Sequence, residues 1–231
     1  MLKTSTAIFT LGPEGTFSDE AARVFQNKPD LLRYSSTFAE ALLQVSQNPK
    51  SAAVVPIENS VAGTVAQVQD ALVSMDLVIL GEVSLPITYS LLASADPKDI
   101  KNCYTHSQAF EQTSRWSAEN LPQVSPQFTR SNIDSGLQFL EKAEQGDESF
   151  AAIVPVSFAM KHPQYLFAEN IQDFKNNTTR FLLVKSRGEL QDYDFTREKT
   201  ALFVEFQEDR PGLLYRMLSV FNLFGINLCR L

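Results

Sequence analysis

Ala52-Ala53-Val54-Val55-Pro56-Ile57-Glu58-Asn59-Ser60-Val61-Ala62-Gly63-Thr64 is the stretch that decides the fold. An apolar run opens it and a polar, glycine-bearing turn follows. Val65, Val68, Leu72 and Met75 then recur at helical spacing. Strand, turn and helix in that order read as one α/β unit. The order repeats nearer the amino terminus: Ala7-Ile8-Phe9-Thr10-Leu11, then Gly12-Pro13-Glu14-Gly15-Thr16-Phe17-Ser18, then a helix from Asp19 to Phe25. Ser18 is its expected N-cap, and Ala21, Ala22 and Phe25 share a face. Glycines let such turns bend sharply and approach a ligand. Both units aim helix N–H groups at one end of a sheet, where carboxylates and phosphates are attracted.

Thr37-Phe38-Ala39-Glu40 reads as a capping box opening a helix with Phe38, Leu42 and Val45 inward. Leu77 to Leu80, Ile87 to Leu92 and Phe150 to Val154 are strand candidates, and a helix starting near Ser131 puts Ile133, Leu137 and Leu140 on one face. This alternation predicts α/β layers in two lobes. Asn177-Thr178-Thr179-Arg180-Phe181 then runs into Leu182-Leu183-Val184. An amide, two hydroxyls and a guanidinium at the lip of a buried strand suit a small anionic ligand. Thr179 and Arg180 are expected to face one crevice, lined by the two amino-terminal turns.

Across 231 residues the chain carries a net charge of −7 and is 44% hydrophobic, ample for a core. It shows no basic stripe or aromatic-basic alternation, which argues against a nucleic-acid partner. An anionic ligand must therefore be drawn in by local cations against an acidic whole. No run is long enough for a bilayer-crossing helix and no leader is visible, so the cytoplasm is the expected compartment and no membrane partner is expected. Cys103 and Cys229 lack metal or redox spacing and read as reduced thiols. With only His106 and His162, no metal site is expected.

Three of these segments resemble the motifs of the prephenate dehydratase family: Gly12 to Ser18, Pro56 to Thr64, and Asn177 to Phe181. Thr105-His106-Ser107-Gln108-Ala109 is a weaker fourth match, and the resemblance spans about residues 7 to 184. It implies an α/β catalytic domain over 1–186, with two lobes like those of type 2 periplasmic binding proteins. Lobe 1 would be about 1–82 plus 168–186, lobe 2 about 83–167, the chain crossing twice and the site in the cleft. The implied reaction converts prephenate to phenylpyruvate in phenylalanine biosynthesis. Gaining an aromatic ring drives it, so no cofactor is implied. Thr179 would assist the departing hydroxyl, Arg180 would hold a carboxylate, Asn177 would support them, and Phe181 would form a dry wall. Thr16, Ser18, Glu58, Asn59, Ser60, Gly63, Thr64, His106 and Gln108 would complete substrate binding, with Glu58 read as a hydrogen-bonded brace. The chain departs from the family pattern at Tyr89, Ser107, Asn132 and Pro155, where histidine, proline, a Ser-Thr pair and serine are usual. These departures leave open an arogenate or cyclohexadienyl dehydratase, or a non-catalytic module that binds an aromatic ligand.

Residues 187–198 read as a linker. Lys199-Thr200-Ala201-Leu202-Phe203 and Asp209 to Leu214 resemble the opening of an ACT regulatory domain, an α+β ferredoxin-like fold, over 199–231. Ala201 to Phe206 would be a strand. Pro211 would sit at a first helical position, Leu214, Leu218, Phe221 and Phe224 would form a stripe, and Gly225 would stop the helix before a strand at Ile226 to Leu231. Pro211, Gly212, Leu213 and Leu214 match part of the family's phenylalanine effector site. The remainder of such a domain is not in the sequence, so phenylalanine feedback through this chain is not expected. The family implies a homodimer.

Overall fold

The computed structural model describes residues 6–188 and 199–228. The chain divides into two compact units, Met1–Tyr193 and Asp194–Leu231. Within the first, one sheet is built from β1 (Ile8–Leu11), β2 (Leu32–Ser35), β3 (Ala52–Asn59), β4 (Gly63–Thr64) and β5 (Leu77–Pro86), with α1 (Phe17–Phe25), α2 (Phe38–Gln47) and α3 (Ala66–Ser74) packed against it. The chain then crosses to β6 (Tyr89–Ala93), β7 (Asn102–Thr105), α4 (Ser107–Gln112), α5 (Ser114–Asn120), β8 (Ser125–Phe128), α6 (Asn132–Glu144), β9 (Phe150–Pro155), α7 (Val156–Ala159) and β10 (Leu166–Glu169). It returns to the first sheet as β11 (Thr178–Ser186).

The first sheet runs β2-β1-β3-β11-β5, with β4 paired to β3, and the second runs β10-β6-β9-β7-β8. These are the two expected lobes, with boundaries shifted. Residues 83–86 extend β5, and β10 pairs with β6, so the crossings fall at 87–88 and 170–177. The crossings are tied to each other: Ile87 N donates to Asn177 O at 2.8 Å, and Ile171 N to Tyr89 O at 3.0 Å.

Both faces of the first sheet are covered, and for this reason β3 is buried along its whole length. Ala53, Val55, Ile57, Leu182 and Val184 pack under α2 and α3, while Ala52, Val54, Phe181 and Leu183 pack under α1. Phe17 belongs to the core of both lobes and meets the Tyr89 ring edge-on, centroids 5.8 Å apart. The α1 cap is Thr16, not Ser18. Gly15 holds φ 87°, which swings the chain so that Thr16 enters the helix extended, and the Thr16 hydroxyl accepts from Asp19 N at 3.3 Å. Ser18 is thereby buried within the first turn. In the three α-helices with a side-chain cap among the described residues, the acidic N3 side chain accepts from the amide before the cap: Asp19 from Gly15 at 2.9 Å, Glu40 from Ser36 at 2.8 Å and Asp134 from Arg130 at 3.2 Å. The expected capping box at Thr37 is this variant of it. On α6, Ile133, Gly136 and Phe139 face inward, and Leu137 is exposed because Gly136 takes the inner position against Phe158.

In the second unit, α8 (Leu213–Leu223) starts after Gly212, whose φ of 86° keeps Pro211 out of the helix. Gly225, φ 63°, stops the helix. Its N–H donates to Asn222 O and that of Ile226 to Phe221 O, closing the turn. Residues 201–206 form no strand, since nothing within the described part of this unit pairs with them. The rest of the expected linker, 189–198, and the end of the expected last strand, 229–231, lie outside the described residues.

Candidate active site

β3 ends where β11 begins, because the two run antiparallel, with Asn59 opposite Thr179 and Glu58 opposite Arg180. The end of β5 joins them, with Leu85 opposite Thr179. These three ends lie at the edge of the sheet that faces the crossings. In the second sheet, pairing places the start of β6 and the ends of β7, β8, β9 and β10 at the opposing edge. Loops from both lobes therefore meet where the polar residues cluster.

Asn59 is the centre of that cluster. Its Nδ2 donates to Asn177 Oδ1 at 2.8 Å and to Thr179 Oγ1 at 2.9 Å, while its Oδ1 accepts from Val61 N at 2.9 Å and Ala62 N at 2.7 Å. One side chain thus shapes the 60–62 turn and grips the catalytic candidates. Gly63, φ 85°, lets that turn close back onto β3. Thr64 pairs with Glu58 in the ladder and is exposed. Ser60 Oγ accepts from Thr178 N at 2.9 Å, and Ser60 N donates to Thr178 O at 2.8 Å. Asn177 Nδ2 donates to Gln112 Oε1 at 2.9 Å, which carries the network into α4 of the second lobe. Asn59, Asn177, Thr179 and Gln112 are all buried. Burial strengthens such bonds and makes a broken one costly.

Arg180 does not share that face. Neighbours in a strand point to opposite sides: Thr179 stands with Phe181 and Leu183 toward α1, Arg180 with Leu182 and Val184 toward α2 and α3. Arg180 Nε donates to Glu58 Oε1 at 2.8 Å and Nη1 to Glu82 Oε2 at 2.9 Å. Burial weakens the guanidinium's hold on its proton, and the bonds and charges of Glu58 and Glu82 more than offset this, leaving its pKa raised. The expected single crevice for Thr179 and Arg180 is thus two sites, one on each side of β11. A bulge makes the partners match: between Phe181 and Arg180 the register on β3 skips Ile57, and Glu58 turns onto the Arg180 face.

Thr16 and Ser18 sit at the first turn of α1, which meets α6 from the other lobe. A Cβ at Gly15 would lie 3.2 Å from Ile133 Cδ1. His106 occupies the cap position of α4 without a side-chain cap bond, and Gln108 is exposed. Gln112, one turn on from Gln108, is the residue of this helix that reaches the cluster. Sequence reasoning missed it because no periodicity separates it from ordinary helix surface. Phe181 is buried under α1. Burial pushes the Tyr89 phenol above its ordinary range. A cavity of about 420 Å³ lies between the lobes, lined by Gly15, Glu20 and Arg23 on one side and Ile133, Ser157 and Lys161 on the other. Neither Asn59 nor Thr179 lines it, so it is separate from the amide–hydroxyl cluster. Among the described residues no group of His, Cys, Asp or Glu is arranged to hold a metal, and no helix is long and apolar enough to cross a membrane.

Two mixed sheets joined by a pair of mutually bonded crossings, with a buried polar cluster where they meet, define a two-lobed α/β protein. The prephenate dehydratase family model matches residues 8–189, and the chain belongs to that family. It is 33% identical over 229 residues to a prephenate dehydratase of Methanocaldococcus jannaschii, covering 97% of this chain and 80% of the relative. It is 32% identical over 222 residues to a bifunctional chorismate mutase/prephenate dehydratase of Aquifex aeolicus, covering 96% of this chain and 59% of that protein. The chain thus spans little more than half of that bifunctional relative. The crystal structure of prephenate dehydratase from Arthrobacter aurescens in complex with L-Phe superposes with a TM-score of 0.74 at 31% identity, covering 97% of this chain and 74% of the other.

Proposed function

We propose that the chain is a prephenate dehydratase, a carbon–oxygen lyase of phenylalanine biosynthesis. Prephenate takes up one proton and loses its ring hydroxyl as water and its ring carboxylate as carbon dioxide, leaving phenylpyruvate. One observation carries the reading: Asn59 donates to the Thr179 oxygen, so the hydroxyl's own hydrogen is available to a departing oxygen. A threonine hydroxyl is a weak acid, and its contribution is stabilisation of the charge growing on that oxygen. Asn177, braced by Gln112, fixes Asn59 from the other side. Aromatisation supplies the driving force, so the reading needs no electron-holding cofactor.

The same reading makes the enzyme a cytoplasmic homodimer. Residues 199–231 would open an ACT module, in which Pro211, Gly212, Leu213 and Leu214 would form part of an L-Phe site that this stretch alone does not complete. The L-Phe bound to the Arthrobacter aurescens relative supports that choice. Arogenate is the second substrate to compare, because the departures from the family pattern at Tyr89, Ser107, Asn132 and Pro155 lie in or beside the second lobe.

Phenylpyruvate and phenylalanine should be followed with prephenate and arogenate offered in parallel. Turnover of prephenate that disappears in a folded Thr179→Ala variant supports the proposal. Turnover of neither substrate by the wild-type chain, or full activity in the variant, would reject it.

A further inference from the structure

We infer that Arg180 is a positioning residue: clamped between Glu58 and Glu82, it fixes the register that brings Asn59 opposite Thr179, and it does not grip the substrate. The inference deepens the proposed reaction and rests on Thr179 being the reacting hydroxyl.

The ladder explains why a clamp is needed there. Asn59 and Thr179 pair at the last rungs of β3 and β11, just beyond the bulge at Ile57. A bulge leaves one residue unpaired and the ladder locally disrupted. Upstream, apolar burial on both faces holds the register through Val54, Val55, Leu182 and Leu183. Past the bulge that hold weakens, because Ser60 to Thr64 are exposed. A slip of one residue would set Asn59 opposite Arg180 and turn its side chain to the other face. Arg180 opposes the slip together with the two bonds between Ser60 and Thr178. Its two bonds, 2.8 Å to Glu58 on β3 and 2.9 Å to Glu82 on β5, tie β11 to both neighbours at the rung next to Thr179.

The same contacts argue against a substrate role. Arg180 lies on the face of β11 opposite Thr179, so a carboxylate held there would put the substrate across the sheet from the hydroxyl. Turning the guanidinium toward a ligand would also break its bonds to Glu58, whose side chain is only 11% exposed, and to Glu82.

Steady-state kinetics and amide exchange on Arg180→Gln, Glu58→Gln, Arg180→Lys and the Arg180→Gln/Glu58→Gln double variant test the clamp. A misplacement of about 1 Å at the reacting group costs about 100-fold, so both glutamine singles should lose roughly that in kcat with KM little changed. The double should be no worse than the worse single, since each breaks the same tie. Arg180→Lys should recover part of the loss by holding Glu58 alone. In substrate-free protein, the amides of Ser60 and Thr178 should exchange faster in both singles. If Arg180→Gln instead raises KM about 30-fold or more while Glu58→Gln leaves KM and kcat near wild type, Arg180 binds substrate and the inference falls. Unchanged exchange in both singles would also overturn it. Absence of any turnover in the wild-type chain would reject the proposed reaction alone, and the exchange measurement would still judge the clamp.

Discussion

Replacing Asn59 by aspartate keeps the shape, exchanges one NH₂ group for an oxygen and adds a buried negative charge, so it removes both amide hydrogens at once. The two loop bonds survive, because Val61 N and Ala62 N can still donate to the side chain at 2.9 and 2.7 Å. The two outward donors are lost, at 2.8 Å to Asn177 and 2.9 Å to Thr179. Thr179 answers by rotating its hydroxyl to donate to the new carboxylate. That recovers one bond and withdraws the hydrogen the departing hydroxyl needs. Asn177 now presents its oxygen to an oxygen, and it can turn over only if Gln112 turns as well.

The stability cost is at least that of a broken buried bond, about 1–3 kcal/mol, and the buried charge adds to it. For a chain of this size it lowers the unfolding midpoint by about 2–12 °C. The kinetic cost is larger. Losing one donor aimed at developing charge costs about 10²–10³ in kcat. Thr179→Val removes the same hydrogen by another route and should fall in the same range. Asn59→Asp/Thr179→Val should then be no slower than the slower single, because both changes delete one interaction. Phenylpyruvate formation at saturating substrate, alongside thermal unfolding, measures both effects. Should Asn59→Asp stay folded and keep kcat within about threefold of wild type, or should the two losses multiply, the polarity argued for Thr179 is wrong.

Three further outcomes follow from particular contacts. Glu20 accepts a bond from Ser157 across the lobes, and burial raises its pKa above the ordinary 4.5. Its folded form therefore holds a proton more tightly than the unfolded chain does. That contribution is complete below the unfolded value and lost as pH rises through the folded one. Glu20→Gln should then unfold at the same or higher temperature than wild type near about pH 8, the advantage shrinking toward about pH 4; a variant weakened most at high pH contradicts this. Gly136→Ala ought to stabilise a helix interior by propensity, yet its Cβ would enter the Phe158 ring. The expected result is a loss of about 1–3 kcal/mol in chemical unfolding, partly regained with Phe158→Leu, and a more stable Gly136→Ala would refute the packing. Burial pushes the Cys103 thiol up to about 12. In a Cys229→Ser background it should resist an aqueous thiol reagent until the protein unfolds, and rapid labelling of the native form would count against that burial.

Both amino-terminal units were legible because hydrophobic period and turn chemistry agree there. Val65, Val68, Leu72 and Met75 give the face of α3, and the Ala52 run gives a strand buried on both sides. Lobe boundaries were less legible. Nothing in Leu166 to Glu169 says that it pairs with β6, since pairing is a long-range choice. The stretch Ala201 to Phe206 has strand composition and no strand, which shows propensity waiting on a partner. The candidate site was read as a set of residue types and misread as a single surface. Asn177, Thr179 and Asn59 meet, but Arg180 turns away for the simplest of reasons, the two-residue period of a strand. That period is visible in sequence. The bulge at Ile57, which decides that Glu58 and not Ile57 stands opposite Arg180, is not.

The position of the cluster ties the chemistry proposed for Thr179 to the second lobe. Gln112 reaches Thr179 through Asn177 and Asn59, a chain of three buried side-chain bonds of 2.9, 2.8 and 2.9 Å. Its own backbone is fastened to the return crossing, where Asp173 N donates to Gln112 O at 2.8 Å and the Asp173 carboxylate accepts from Arg115 N and Trp116 N at the start of α5. Any rotation of the lobes about residues 87–88 and 170–177 therefore moves α4 and the crossing together. Asn177 lies within that crossing and is the link that must either follow Gln112 or let it go. A lobe movement that breaks the Gln112 bond leaves Asn177 free to turn over, and Asn59 then loses the acceptor that fixes its NH₂ group. In the proposed reaction the hydroxyl of Thr179 keeps the required polarity only while the lobes hold that bond, which would couple that chemistry to lobe position.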